Sequence, residues 1–130
     1  MIYVDTSALV KLLFEERESL ALSNWLTSRT DTAMVTSDLS TVELLRACHR
    51  IDDDVLDDAR RLLAGIDLLP IDREVVEQAA VVAPRELRSL DAVHLASALS
   101  LQSDLTEFVA YDSRLCSAAA AAGFLVVSPT

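Results

Sequence analysis

The chain has 130 residues, 52% of them apolar, which predicts one domain with its own core and excludes intrinsic disorder. Its 21 acids outnumber 11 bases, and the net charge of −10 excludes a broad basic face for duplex nucleic acid. Lys11 is the only lysine, which excludes a lysine-built anchor for anionic membranes, and 2 Gly with 3 Pro are too few turn residues for an all-β sandwich.

Short apolar runs alternate with helical stripes along the chain. Ile2-Tyr3-Val4 predicts a buried first strand. A helix follows over Thr6 to Phe14, and a second reaches about Ser28. Ala33-Met34-Val35 predicts the second strand, and Ser37 to Arg50 the next helix. The run Asp52-Asp53-Asp54 matches the positive end of a helix dipole and predicts another helix, ended by Gly65. Ile66 to Leu69 reads as the third strand. Asp72 caps a helix that Pro84 closes, and a further helix runs from Ser89 to about Gln102. Phe108 to Tyr111 is the fourth strand. A helix over Ser113 to Ala122 stops at Gly123, and Phe124 to Val127 is the last strand. Every connection carries helix and none is a two-residue hairpin. This forces parallel pairing in an α/β fold, a small sheet with helices on both faces, forming a single domain over residues 1–130.

Met1-Ile2-Tyr3-Val4-Asp5 has no basic n-region, and no apolar run approaches a membrane span, so neither a signal peptide nor a membrane location is expected. Cys48 and Cys116 form no C-x-x-C pair and read as helix-packing residues in a reducing cytoplasm.

Ligands of an open parallel sheet bind outside the carboxyl ends of its strands. Asp5 and Asp112 stand there, and Glu43 and Asp91 lie near helix starts. Each has a local explanation. Asp5 and Asp112 fit helix N-caps, Asp91 a first-turn acid, and Glu43 a capping box with Ser40. Against this, Glu43 lies among Val42, Leu44 and Leu45, and Asp91 between Leu90 and Ala92. Acids in such flanks pair with cations or coordinate a metal.

Val4-Asp5-Thr6-Ser7, Glu43-x-x-Arg46-Ala47, Leu90-Asp91-Ala92-Val93-His94-Leu95-Ala96 and Tyr111-Asp112-Ser113-Arg114-Leu115 together resemble the motifs of PIN-domain ribonucleases. The short form resembles a VapC-type toxin of a VapBC toxin–antitoxin pair. The resemblance covers the whole chain. It implies a PIN-like domain with strand order 3-2-1-4-5 and cleavage of RNA with Mg²⁺ or Mn²⁺, leaving 3′-hydroxyl and 5′-phosphate ends. It also implies homodimerisation and neutralisation by a cognate VapB-like antitoxin in a hetero-oligomer.

On this reading Asp5, Asp91 and Asp112 are metal ligands, direct or through water, and Glu43 joins them as a water-mediated ligand or proton acceptor. Hard divalent cations prefer carboxylate oxygen, and carboxylates crowded together repel until a cation relieves them. Thr6, Ser7 and Ser113 offer supporting hydroxyls. Arg46, Arg88 and Arg114, close in sequence to the acids, are candidate RNA contacts; Arg46 also fits a simple ion pair with Glu43. His94 and His49 read as structural, hydrogen-bonded histidines. The chain departs from the family at Ala110, where PIN toxins usually carry Thr or Ser; a hydroxyl there would orient Asp112 if the strand ran that far. Leu9, Leu12, Leu13, Phe14, Leu20 and Trp25 offer apolar surface for a partner helix. With only 6 aromatic residues, base stacking cannot dominate recognition, which favours a structured RNA such as tRNA or rRNA. A PIN-like RNA-binding or regulatory domain without catalysis is the alternative. A receiver domain lacks its late lysine here, and a haloacid-dehalogenase-type phosphatase lacks its D-x-D.

Overall fold

The computed structural model describes residues 1–130. Five parallel strands, β1 (Ile2–Val4), β2 (Met34–Ser37), β3 (Asp67–Leu69), β4 (Glu107–Val109) and β5 (Val126–Val127), form one sheet in the order β3-β2-β1-β4-β5. The helices are α1 (Thr6–Leu13), α2 (Ser19–Thr27), α3 (Leu39–Ile51), α4 (Leu56–Ala64), α5 (Arg73–Val81), α6 (Ser89–Leu99) and α7 (Ser113–Ala121). This is the α/β class and the strand order expected.

The central strand β1 is fully buried, and alternation sends its side chains to opposite cores. Ile2 and Val4 join Leu9, Leu22, Leu44 and Leu63 beneath α1 to α4. Tyr3 joins Val35, Leu95, Phe108 and Leu115 beneath α6 and α7. Tyr3 pairs with Phe108 across the ladder and stacks on it, with ring centroids 4.9 Å apart; Phe108 in turn stacks on Phe124 at 5.9 Å. Gly123 follows α7 at φ 100°, where the Phe124 N–H reaches back to the Ala119 carbonyl (3.1 Å) and the Gly123 N–H to that of Ala120 (3.0 Å). Space for a β-carbon is open there, but only glycine adopts this left-handed backbone without strain.

Three boundaries differ from expectation in ways that matter. Strand β2 extends past Val35 through Thr36 and Ser37, which are buried and polar, because their hydroxyls find partners on α3 and its entry: Thr36 with Ser40 at 2.7 Å, Ser37 accepting from the Leu39 N–H at 3.1 Å. Asp52 caps a single 3-10 turn, Asp53–Val55, in place of the α-helix start expected there, and the first turn of α4 carries Asp57 and Asp58. Strand β4 stops at Val109, so strand alternation does not carry through to Asp112; Ala110 is fully buried in the core with Tyr3 and Leu115. A hydroxyl at 110 would stand in that core.

The apolar surface of α1 and α2 is also less open than expected. Leu9 is buried, and Leu12, Leu13, Phe14 and Trp25 are half-buried against the core, leaving Leu20 exposed at 73%.

Candidate active site

Asp5 follows β1 directly and is the N-cap of α1. Its Oδ2 accepts from the Ser7 N–H (3.1 Å) and the Ser7 hydroxyl (2.7 Å). Asp112 is the N-cap of α7, its Oδ1 accepting from the Leu115 N–H at 3.0 Å. The capping explanation and the placement outside the strand ends thus hold together. Sheet order puts β1 beside β4, so the two caps flank one cleft. The Tyr111 N–H, donated to the Ser7 hydroxyl at 3.1 Å, ties them across it.

Glu43 enters from α3 and Asp91 from the first turn of α6. Ser40 makes no capping box with Glu43: α3 begins one residue earlier, after Asp38, and Ser40 lies inside the helix, buried, bonding Thr36 and Thr6. Nor does Glu43 pair with Arg46, which is exposed. Its partners are His94, whose Nε2 lies 2.6 Å from Oε1, and Thr6, whose hydroxyl donates to the same oxygen at 2.8 Å. The His94 ring is 3.5 Å from Asp5 Oδ1, and its other nitrogen is 2.7 Å from the buried Tyr3 hydroxyl. The structure thus brings Asp5, Glu43, Asp91 and Asp112 to the same end of the sheet, with Thr6 and Ser7 between them and His94 beneath. Tyr3, Thr36 and Ser40 were missed from the sequence. The signal for Tyr3 was present, since a tyrosine in the middle strand of a sheet must bury its hydroxyl and find it a partner.

The electrostatics follow from this crowding. Burial, then the charges of Asp112 and Asp5, raise the Asp91 pKa. Burial works against charge on His94, yet the hydrogen bond to Glu43 and the charges of Asp5, Glu43 and Asp91 outweigh it and raise its pKa. Burial likewise opposes charge on Glu43, but the His94 bond prevails and lowers its pKa. Burial, with Asp5 nearby, pushes Tyr3 well above the usual tyrosine range, so its hydroxyl keeps its proton.

No three His, Cys, Asp or Glu side chains converge into a ready-made ligand cage. The donor chemistry nevertheless suits a hard divalent cation. The groups are carboxylates, and Asp112 and Glu43 each have one oxygen tethered and the other without a hydrogen bond. Asp91 has no hydrogen bond and a pKa raised by its acidic neighbours, which is a site that gains from a positive charge. Beside Asp112, a hollow of about 550 Å³ is lined by Pro84, Glu86, Leu87, Ser113, Arg114 and Ser117. Arg88 precedes α6 at its N-cap position, and Arg46, Arg88 and Arg114 are all exposed. His49 is exposed and bonds Asp53 at 2.7 Å.

The family model described as PIN domain matches residues 2–121. Ribonuclease VapC47 of Mycobacterium tuberculosis is 45% identical over 99% of this chain and 97% of that protein, and Ribonuclease VapC46 of the same species is 42% identical over 99% and 98%. Among solved structures, M. tuberculosis VapC20, described as a Sarcin-Ricin loop cleaving toxin, superposes with a TM-score of 0.75 at 21% identity, covering 99% of this chain and 100% of that one. FitAcB from Neisseria gonorrhoeae does so with a TM-score of 0.69 at 23% identity, over 99% and 98%. A whole-chain match to that model, with relatives of this identity along the full length, places the chain in the PIN domain family, among its VapC-type members.

Proposed function

We propose that this chain is the toxin of a VapBC-type pair: a divalent-metal-dependent endoribonuclease that hydrolyses phosphodiester bonds of a structured RNA in the cytoplasm. A cognate VapB-like antitoxin silences it, and it works as a homodimer. The observation that carries this is the convergence of Asp5, Glu43, Asp91 and Asp112 at the carboxyl ends of the strands, with Asp91 repelled by its neighbours. The family, and the ribonuclease names of relatives at this identity, support the same reading.

Bound among these carboxylates, Mg²⁺ or Mn²⁺ supplies the concentrated positive charge that attracts a phosphate and makes water acidic enough to attack it at neutral pH. Asp5, Asp91 and Asp112 would hold it, partly through water, and Glu43 would join them through water. The rest belongs to the chain. Ser7 and the first turns of α1 and α7 fix Asp5 and Asp112 on either side of the cleft. Glu43 keeps Oε2 free to accept a proton from the attacking water. The hollow beside Asp112 has room for a nucleotide flanking the cut bond, with Arg114 at its wall to meet backbone phosphate.

The test is cleavage of total cellular RNA by the purified protein, with Mg²⁺ or Mn²⁺, with chelator, and with Asp5→Asn as control. Cleavage that needs the metal and Asp5 supports the reading; cleavage that survives both removals overturns it. Expression in a bacterial host is expected to arrest growth, with relief on co-expression of the antitoxin.

A further inference from the structure

We propose that Tyr3 and His94 are positioning residues for Glu43: they form a buried brace that holds the carboxylate by one oxygen and leaves the other turned free toward the cluster. This rests on the nuclease reading for its consequence but on separate geometry for its existence. The His94 ring is clamped at both nitrogens, by the Tyr3 hydroxyl at 2.7 Å and by Glu43 Oε1 at 2.6 Å. His94 is 1% exposed and Tyr3 0%, so water does not compete for the bond between them, and the bond to the half-buried Glu43 is approached by water only from the carboxylate side. Two donors, His94 and Thr6, converge on Oε1, whereas Oε2 has no protein partner. A carboxylate held in this way cannot rotate without breaking both bonds.

The choice of tyrosine has a chemical reason. A hydroxyl can donate to a bare ring nitrogen or accept from a protonated one. The Tyr3 contact therefore survives whichever charge the ring carries, and the ring keeps its Nε2 proton aimed at Glu43 in both states. The stack on Phe108 fixes the phenol plane, and the His94 ring meets it edge-on at 81°. The strand that starts the sheet thus controls an acid supplied by α3, through a side chain of α6.

Tyr3→Phe removes one oxygen and keeps the stack, which makes it the decisive variant. Metal-free protein is titrated with Mn²⁺ by calorimetry, and single-turnover RNA cleavage is measured in parallel. The brace predicts a dissociation constant raised, and a kcat lowered, about tenfold, with KM unchanged. His94→Gln places an amide N–H near the position of Nε2, whereas His94→Asn places one near Nδ1; the Gln variant is expected to retain most of the activity that the Asn variant loses. In metal-free wild-type protein, the His94 Nε2 proton is expected as a downfield, exchange-protected signal, broadened in Tyr3→Phe. Tyr3→Phe with a lowered melting temperature but unchanged Mn²⁺ affinity, kcat and proton signal overturns the brace and leaves a packing role. Wild-type protein that shows the protected proton but neither binds Mn²⁺ nor cuts RNA retains the brace and overturns the nuclease reading instead.

Discussion

Ser7 accepts the Tyr111 N–H at 3.1 Å while donating its hydroxyl proton to Asp5 at 2.7 Å, and so joins the end of β1 to the segment that delivers Asp112. Ser7→Ala removes both bonds and leaves a half-buried backbone N–H without a partner, a loss of about 1–3 kcal/mol. Chemical denaturation is expected to show that loss, and cleavage to fall by about tenfold as Asp5 and Asp112 lose their fixed separation. Full activity alongside reduced stability would separate the two roles.

Asparagine caps helices as well as aspartate does. Asp5→Asn and Asp112→Asn are therefore expected to retain α1 and α7 while lowering RNA cleavage by about a hundredfold or more. Asp91→Asn is expected to raise the melting temperature as well. The Asp91 pKa is raised, so its contribution to stability is fully present below the unfolded value of 3.8 and is lost as pH rises through the folded value. At neutral pH the ionised group costs stability, and the amide does not. A melting temperature that falls in Asp91→Asn contradicts the crowding.

The His94–Glu43 pair sets a pH window for the metal-free protein. His94 is raised above 6.5, so its contribution is full below that pH and is lost as pH climbs through the folded value. Glu43 is lowered below 4.5, so its contribution is full above that pH and is lost as pH falls through the folded value. Urea midpoints across pH are expected to plateau between these limits. His94→Gln is expected to flatten the alkaline decline; parallel curves for the two proteins would contradict the assignment.

Arg88→Ala and Arg114→Ala test the RNA contacts. Each is expected to raise KM a few-fold with kcat nearly unchanged, and to reduce the salt dependence of binding by about one phosphate's worth of counterion release. Equal losses for short and long substrates would place their effect elsewhere.

The sheet and its order were legible because each apolar run is separated from the next by a helix. Asp5 and Asp112 were legible because they directly follow strands. What stayed hidden was the polar layer behind them. Thr36 and Ser37 do not look like strand residues until Ser40 and the Leu39 N–H are known to meet them. An ion pair between Glu43 and Arg46, its neighbour on the helix, was one of two readings of that spacing, but a partner 51 residues away won because its ring is buried and Arg46 is solvated. The Ala110 expectation lost its premise for a local reason: β4 ends at Val109, two residues before the expected Tyr111, so alternation does not reach Asp112.

The strand order has a consequence in time. The first strand made, β1, becomes the middle of the sheet, and its neighbour β4 is made last but one. No strand pairs through a local turn, so neither partner of β1 can be found until a long stretch of chain has emerged. Asp5 therefore waits for Asp112 through more than a hundred residues of synthesis. On the nuclease reading, a chain still growing on the ribosome carries an incomplete cutting centre until Asp112 is made.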